Sequence, residues 1–327
     1  MKVAVLAGGR SSEHEVSLAS AQAVRAGLAE LDHEVLDVRI SREGKWSLDG
    51  KAVKLEPAGG LLGADVVFPV VHGPYGEDGT LQGLLQHLDV PYVGSGSLAS
   101  AVCIDKAIFK RQMTLAGIPQ VEYEIVQAAR WSGESGAVAK ELACLGLPVF
   151  VKPARLGSSV GISKVKEPKE LPSAIESALV HDSVVLVEAM APGQEIECSI
   201  LGTRELTISE PGEIVIESEW FDYKAKYTPG GMELKVPATI SETARRRVQE
   251  TAERAFRYTG CAGMARVDFF VDGEEVKISE INTIPGFTKT SVYAKLLEAS
   301  GILYQETLET LLADAVGDYG RYRRYRH

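Results

Sequence analysis

Apolar and polar positions along the chain form short segments that predict buried strands separated by amphipathic helices. KVAVLA at residues 2–7 has the pattern of a buried strand, Gly8-Gly9 makes a close turn, and a helix is predicted from about Val16 to Leu31. EVLDVRI and DVVFPVV predict two further strands, and the glycine-rich HGPYGEDGTLQG leads into an amphipathic helix. This order predicts a Rossmann-like N-terminal unit. The dinucleotide fingerprint is absent because a third glycine is missing, so a dehydrogenase is disfavoured.

Helical and strand patterns continue after residue 95. We expect helices at about 105–116, 134–145 and 168–179, and strands at VEYEIV, LPVFVKP, VVLVEAM and APGQEIECSI. A helix at 242–258 should begin after the N-cap Ser241, and helices at about 290–299 and 303–315 close the fold. The prediction is an α/β protein with units at 1–95, 96–187 and 188–316 and a basic tail at 317–327.

Composition and charge narrow the class of protein. The 327 residues include 45 acidic and 35 basic side chains, and the net charge of −10 argues against a general nucleic-acid surface. The sequence has no apolar run that could span a bilayer and no secretory cleavage pattern, which predicts a cytoplasmic protein without a membrane partner. The cysteines are expected to be small core residues; they are Cys103, Cys144, Cys198 and Cys261.

The stretch from Gly263 to Val292 carries candidate metal ligands. Asp268 lies in one apolar run, and Glu280 and Asn282 lie two residues apart in the next, which places the latter two on one face of a strand. Two carboxylates and an amide oxygen suit Mg²⁺. Arg266 would share a face with Asp268 and place a cation beside the metal. From this stretch alone, a surface hairpin with scattered acids is an equal alternative.

The pairing register of these two runs tests the shared site. A tight Asp272-Gly273 turn would place Asp268 opposite Lys277 and would turn Glu280 to the other face. A shared metal therefore requires an odd-length loop or a β-bulge between the two strands.

A phosphate-binding segment is predicted around residue 152. The run VFVK delivers Lys152 at the end of a buried strand, and the loop Gly157-Ser158-Ser159-Val160-Gly161 follows closely. Backbone amides of such a loop can close over phosphate oxygens while the lysine supplies a charge. The Walker pattern is absent, and a flexible hairpin loop beside a lysine is the alternative.

Other candidates lie at strand ends and in one irregular stretch. Glu13 and His72 follow predicted strands, at the edge where ligands gather in such sheets. As alternatives, Glu13 could be an acid near a helix N-terminus that the helix dipole stabilises, and His72 could be a packed loop histidine. VEAM resembles an interdomain hinge that exposes Glu188 and the main chain of Ala189 and Met190. EWFDYKAKYTPGGMELKVPA predicts a mobile lid, with ordinary aromatic packing as the alternative.

Seven segments in this order resemble the D-alanine:D-alanine ligases of the ATP-grasp superfamily. They are GGRSSEHEVSL, HGPYGEDGTLQG, GSGSLAS with DK, LPVFVKPARLGSSVGISKV, VEAMAPGQEIE, FDYKAKY, and GMARVDFF with EINTIPGFTKTS. The resemblance covers nearly the whole chain to about residue 315. It implies a Rossmann-like N-terminal domain followed by a two-lobed ATP-grasp fold that is α+β in character.

The resemblance implies a set of residues for ATP and the metal. The nucleotide phosphates would meet Lys106 and Lys152 under a loop containing Gly157, Ser158 and Ser159. The adenosine would be held by Glu188, Glu195 and the backbone of Ala189 and Met190, with Lys226 contributed by the lid. Asp268, Glu280 and Asn282 match the ligands of Mg²⁺, with Mn²⁺ as an alternative.

The resemblance also implies the substrates. Glu13 would bind the ammonium of the first D-alanine, supported by Ser158, Tyr227 and the nearby His72. The oxyanion would meet Arg266 and the Gly286 amide, and the second carboxylate would meet Ser291 and the Val292 backbone. The implied activity is ATP-dependent ligation of two D-alanines through an acyl phosphate, for peptidoglycan precursor synthesis, by a cytoplasmic homodimer. The alternatives are a ligase forming D-alanyl-D-lactate or D-alanyl-D-serine and a non-catalytic nucleotide-binding regulator. Tyr227 resembles the dipeptide-forming type.

Overall fold

A computed structural model describes residues 1–157, 160–215 and 233–322 of the chain. Its strands are β1 Lys2–Gly8, β2 Glu34–Ile40, β3 Trp46–Leu48, β4 Lys51–Ala52, β5 Val66–Pro69, β6 Tyr123–Gln127, β7 Val149–Pro153, β8 Ser163–Val165, β9 Val184–Ala189, β10 Gln194–Leu201, β11 Thr207–Ile208, β12 Gly212–Val215, β13 Glu233–Lys235, β14 Met264–Asp272 and β15 Glu275–Asn282. Its helices are α1 His14–Glu30, α2 Thr80–Leu88, α3 Ser97–Ile104, α4 Lys106–Leu115, α5 Ala128–Leu142, α6 Leu171–Leu179, α7 Glu242–Thr259, α8 Val292–Ala299 and α9 Tyr304–Tyr322.

The first sheet has the strand order β4-β3-β2-β1-β5, and β1 runs parallel to β2 and β5. Both of its faces are covered, which explains the continuous apolar run of β1. Val3 and Val5 pack with α1 and α9, whereas Ala4 and Leu6 pack with α2.

The second sheet has the order β6-β9-β7-β8 and an apolar face that packs on α5 and α6. Val149, Val151 and Val187 belong to that core. Because side chains alternate along a strand, Lys152 and Glu188 lie on the opposite face.

The third sheet has six strands, with β13-β12-β10-β14-β15 in order and β11 paired to β10. One face packs on α7, whose apolar stripe includes Val248, Ala252 and Phe256. Ser241 Oγ accepts a hydrogen bond of 3.1 Å from Ala244 N, as expected for the N-cap of this helix. The opposite face of the sheet carries charged side chains from β10, β14 and β15.

Helix α5 begins at Ala128, six residues before the predicted start at 134. Trp131 and Leu142 are buried and mark its core stripe. Gly133 and Gly136 lie on the exposed side of the helix and weakened the helical pattern, and Glu134 has a non-helical φ of −136°.

Helix α9 extends to Tyr322, so residues 317–322 of the predicted tail are helical. Tyr319 anchors this extension, because its hydroxyl donates to the Asp89 carbonyl oxygen at 2.7 Å and to Asp89 Oδ1 at 2.6 Å. Strand β9 reaches Ala189 and crosses the predicted unit boundary after residue 187.

Two smaller features of the structure also differ from what the sequence led us to expect. The short hairpin β3–β4 was not predicted, and Cys144 is exposed at a 3-10 turn, whereas the other three cysteines are buried. None of the helices in the described part of the chain combines the length and apolar character that crossing a membrane requires.

Candidate active site

The charged faces of the second and third sheets lie close enough for their side chains to interact, because Glu280 and Glu195 of the third sheet act on Lys152 of the second. Lys106 Nζ lies 3.4 Å from a Glu280 carboxylate oxygen and donates to the Leu156 carbonyl oxygen at 2.8 Å. Burial alone would lower the pKa of Lys152, but Glu188, Glu280 and other acids outweigh burial and raise it. Side chains predicted for the nucleotide and for the metal therefore share one electrostatic environment.

Helix α4 places Lys106 beside the residues that precede the predicted phosphate loop. Asp105 is its N-cap, and Asp105 Oδ1 accepts from Ala107 N at 3.1 Å and from Ile108 N at 3.0 Å. The Lys106 backbone N–H donates to the Ala154 carbonyl oxygen at 3.0 Å. The first turn of the helix is thus joined to the chain that leads to Gly157.

Glu188 is buried between two lysines, whereas the sequence predicted that VEAM would expose it. Its carboxylate pairs with Lys110 through Oε1 and with Lys152 through Oε2. Burial alone would raise the pKa of Glu188, but the two lysines outweigh it and lower the pKa to about 2. The side chain is therefore an anion that can only accept hydrogen bonds.

The backbone after Glu188 is already partly engaged. The Ala189 N–H donates to the Glu122 carbonyl oxygen at 3.0 Å, and the Met190 N–H donates to the Pro148 carbonyl oxygen at 3.1 Å. These two amides hold the strand end in the sheet, so a base lying beside them would meet their carbonyl groups.

The register between β14 and β15 meets the condition for a shared metal site. The two-residue turn is Gly273-Glu274 rather than Asp272-Gly273, and a β-bulge lies between the pairs Phe269–Ile278 and Asp268–Glu280. Because of the bulge, Asp268 lies opposite Glu280, and Arg266 lies opposite Asn282. All four side chains consequently share one face.

The donor atoms on this face fit a hard divalent cation. Two carboxylates and one carboxamide offer oxygen ligands, which is the set that Mg²⁺ prefers. Asn282 Nδ2 donates to Asp268 Oδ2 at 3.0 Å, so the two residues are adjacent. Within the described residues, no group of three or more His, Cys, Asp and Glu side chains is arranged to hold a metal ion.

Arg266 lies between two carboxylates. It donates to Asp268 from Nε and Nη2, each at 2.7 Å, and its Nε lies 2.9 Å from Glu197 Oε2. Burial alone would lower the pKa of Arg266, but Asp268 and Glu197 raise it well above its ordinary value. The guanidinium is a fixed positive charge beside the proposed metal ligands.

Glu13 approaches both the first sheet and the phosphate loop. A Cβ on Gly73, which has a φ of +72°, would overlap Glu13 Oε2, and a Cβ on Gly157 would lie 3.3 Å from the same atom. Ser11 Oγ supports this corner by accepting from Glu13 N at 3.2 Å and donating to the His72 carbonyl oxygen at 2.7 Å. Glycine at these two positions leaves room for the carboxylate.

His72 is packed, as the structural alternative predicted. Its Nδ1 lies 2.9 Å from the Ile284 carbonyl oxygen, and its Nε2 lies 3.1 Å from Ser20 Oγ. Burial lowers the pKa of His72, although Glu13 and Ile284 oppose that shift. Its ring links α1 to the segment after β15, so it can support Glu13 by position.

Glu77 is a site residue that sequence analysis missed. Glu77 Oε2 accepts from Gly73 N at 2.7 Å, and Oε1 accepts from Ile284 N at 2.9 Å. Burial, followed by the charge of Glu13, raises the pKa of Glu77 to about 8. Its place in HGPYGEDGT was visible in the sequence, but the pattern did not show that it would connect two distant loops.

Gly286, Ser291 and Val292 lie around the N-terminus of α8. A Cβ on Gly286 would lie 3.1 Å from Ser291 Oγ, and Ser291 is the N-cap residue of the helix. Backbone N–H groups in a first helical turn lack intrahelical partners, and the helix dipole favours an anion there. This end of the helix is therefore suited to a carboxylate.

The described residues line a cavity of about 30 Å³. The lining comprises Gly73, Glu77, Cys103, Ile104, Lys106, Leu156, Gly157, Glu280, Ile281, Asn282 and Thr283. The volume accommodates about two water molecules. Ser158, Ser159, Lys226 and Tyr227 lie outside the described residues.

Comparisons with known proteins cover nearly the whole chain. A family model described as "D-ala D-ala ligase N-terminus" matches residues 2–61 and 54–95, and one described as "D-ala D-ala ligase C-terminus" matches residues 113–313. A D-alanine–D-alanine ligase from Deinococcus radiodurans is 45% identical, with 95% of this chain and 97% of the relative covered. Another from Caldicellulosiruptor bescii is 40% identical, with 97% and 95% covered.

Solved structures of ligases also superpose on nearly the whole chain. The D-alanine–D-alanine ligase from Coxiella burnetii superposes with a TM-score of 0.89 at 33% identity, covering 99% of this chain and 96% of its own. The VanG D-Ala:D-Ser ligase from Enterococcus faecalis gives a TM-score of 0.86 at 36% identity, covering 95% and 98%.

Proposed function

Because the chain belongs to the D-alanine–D-alanine ligase family, we propose that this site joins two D-alanines in an ATP-dependent reaction through an acyl phosphate. The α/β fold class with its ATP-grasp part is confirmed by the structural relatives. The observation that supports the residue roles is the meeting of Lys106, Glu280 and Gly157 at one cavity, which joins the phosphate, metal and substrate regions. The dipeptide serves peptidoglycan synthesis.

ATP would lie between the two charged sheet faces. Lys106 and Lys152 would neutralise its phosphates under the loop that contains Gly157, while Glu188 would accept from the adenine amino group and Glu195 from a ribose hydroxyl. Asp268, Glu280 and Asn282 would hold Mg²⁺ or Mn²⁺, which supplies positive charge for phosphoryl transfer. Among residues outside the described part, we assign Ser158, Ser159 and Lys226 to the nucleotide.

The first D-alanine would place its ammonium at Glu13, with Ser158 and Tyr227 as further contacts and His72 as support. Its carboxylate takes the γ-phosphoryl group and becomes an acyl phosphate, because a carboxylate alone is a poor acyl donor. The chain must exclude water at this stage, since an acyl phosphate hydrolyses.

The second D-alanine would place its carboxylate against Ser291 and the Val292 backbone at the start of α8. Its deprotonated amine attacks the activated carbonyl, and the oxyanion forms beside Arg266 and the Gly286 N–H. Collapse of the tetrahedral intermediate expels phosphate and leaves the peptide bond. Arg266 then faces a negative charge that is absent in the ground state, which is how such a donor accelerates a reaction.

Three further proposals follow from the family and the sequence. We propose a cytoplasmic homodimer, and we propose structural units near 1–95, 96–187 and 188–316. The three sheets support this division, with the amendment that β9 extends the second unit to Ala189.

The test is release of ADP and phosphate with MgATP and D-alanine, together with mass detection of the dipeptide. D-serine and D-lactate are offered with D-alanine in parallel, because one structural relative is a D-Ala:D-Ser ligase. We expect D-alanyl-D-alanine to dominate. A dominant mixed product would reassign the second substrate, and no ADP release with any of them would refute the ligase activity.

Lys152→Ala tests the phosphate assignment, with the exposed Lys169→Ala as a matched control. We expect the first to lose ADP release and the second to retain it. Unchanged ADP release from Lys152→Ala would defeat the role given to Lys152.

A further inference from the structure

Lys110 is a buried lysine to which the proposed reaction assigns no contact with a substrate. Its side chain is 2% exposed, and its Nζ lies 5.6 Å from the centre of the Tyr123 ring. Burying an ammonium group is unfavourable unless it is paired. Its partner is Glu188, the proposed acceptor for adenine.

The two lysines that contact Glu188 occupy different environments. Lys110 comes from the middle of α4, whereas Lys152 is the next-to-last residue of β7, near the predicted phosphate loop, and is 15% exposed. Within the described residues, these two are the cations that form ion pairs with Glu188. Lys152 can therefore turn toward a ligand, while Lys110 is enclosed.

Nucleotide binding requires Lys152 to change partners. In the structure it pairs with Glu188, but as a phosphate ligand it must direct its charge toward ATP. If Glu188 had no second cation, it would compete with the phosphates for Lys152, because an unpaired buried carboxylate is strongly unfavourable.

We propose that Lys110 is a positioning residue that remains paired with Glu188 and thereby releases Lys152 to the nucleotide phosphates. This inference rests on the proposed function, which places ATP in the site. The pair with Lys110 also keeps Glu188 ionised when Lys152 turns away. An ionised carboxylate can accept a hydrogen bond from the amino group of adenine, whereas guanine has at the same position an oxygen that donates none.

The experiment measures binding of a non-hydrolysable ATP analogue with Mg²⁺ and without D-alanine. The variants are Lys110→Met, Glu188→Gln and the double variant, with Arg111→Met as a control for the loss of an exposed charge on the same helix. We expect Lys110→Met to raise the Kd by about tenfold or more, because Glu188 then retains Lys152. Arg111→Met should bind as the wild type does.

The double variant separates positioning from a merely structural role. Once Glu188 is replaced by glutamine, Lys152 is no longer captured, so removing Lys110 should have little further effect on the Kd. A double variant that binds about tenfold more weakly than Glu188→Gln would overturn the proposal, as would wild-type affinity in Lys110→Met.

Separate controls test whether each variant folds and whether the proposed function holds. Circular dichroism checks each variant, and Lys110→Arg, which retains the charge, should keep wild-type affinity. If Lys110→Met does not fold, the comparison of the double variant with Glu188→Gln still decides. If the wild type binds the analogue but makes no dipeptide, the proposed function fails while the Kd comparison still tests Lys110. Absence of analogue binding by the wild type would overturn both.

Discussion

Arg266 holds Asp268 through two hydrogen bonds, from Nε to Oδ1 and from Nη2 to Oδ2, each 2.7 Å long. The two residues lie two positions apart on β14, and we assign one to the oxyanion and the other to the metal. A cation that binds Asp268 must therefore share the carboxylate with Arg266 or displace the Arg266 guanidinium. Glu197 Oε2 lies 2.9 Å from the same Nε and can hold the guanidinium when Asp268 changes partners.

Replacing Arg266 should impair the chemical step more than nucleotide binding. We expect Arg266→Met to lower kcat by about 10²–10³-fold, the loss typical of one oxyanion donor. Arg266→Lys keeps the charge but not the planar fork, so its loss should be smaller. Phosphate release at saturating substrates measures kcat, with the exposed Arg246→Met as control. A kcat within about threefold of the wild type for Arg266→Met would contradict the assignment.

Glu197 should affect the metal requirement. In Glu197→Gln, Arg266 depends more strongly on Asp268, so a metal ion meets greater competition for that carboxylate. We expect the Mg²⁺ concentration for half-maximal activity to rise by about tenfold, with kcat largely recovered at high Mg²⁺. Glu213→Gln, on the neighbouring β12 but paired with Gln194, is the control. An unchanged Mg²⁺ dependence would show that Glu197 does not restrain Arg266.

Gly73→Ala should weaken binding of the first D-alanine, because the added Cβ would displace the Glu13 carboxylate. Gly50→Ala is a matched control: its φ of +75° resembles the +72° of Gly73, but no atom lies within 4 Å of its added Cβ. Both changes should cost about 1 kcal/mol of stability through backbone strain. Only Gly73→Ala should raise the KM for D-alanine, and equal KM values in the two variants would refute the role of this close approach.

Glu188 should make the folded state sensitive to acid. Its pKa is lowered from 4.5 to about 2, so the unfolded chain binds the proton first as the pH falls. The stabilisation is therefore complete above pH 4.5 and is lost as the pH falls toward 2, amounting to roughly 3 kcal/mol. Urea unfolding between pH 6 and pH 3 should show a flatter profile for Glu188→Gln than for the wild type. The exposed Glu176→Gln should retain the wild-type slope; parallel slopes for all three proteins would exclude the effect.

Sequence patterns predicted the strands and helices that place most of the site. Burial on both faces of β1 leaves a continuous apolar run, and burial of one face of α7 leaves a helical period. The bulge in β15 also had a trace in the sequence. Its buried apolar positions are Val276, Ile278 and Ile281, and the change from a spacing of two to three indicates one extra residue. That change was visible, but only the partner strand showed which residues it would bring together.

The ion pairs of the site were not predictable from local patterns. Lys110 stands four residues after Lys106 on an amphipathic helix, where a lysine ordinarily faces solvent. Its burial depends on Glu188, a residue of another element 78 positions away in sequence. Glu77 and Glu197 were missed for the same reason, since their partners come from distant strands and loops.

The last helix of the chain completes the core of the first sheet. Leu308, Leu311 and Leu312 of α9 are buried together with Val5 of β1 and Leu28 of α1. Residues 1–95 therefore share their core with α9, and a protein ending after residue 95 would expose the face that α9 covers. During synthesis on the ribosome, this apolar surface remains uncovered until α9 has emerged. The N-terminal unit, which is synthesised first, is therefore among the last parts of the chain to complete its packing.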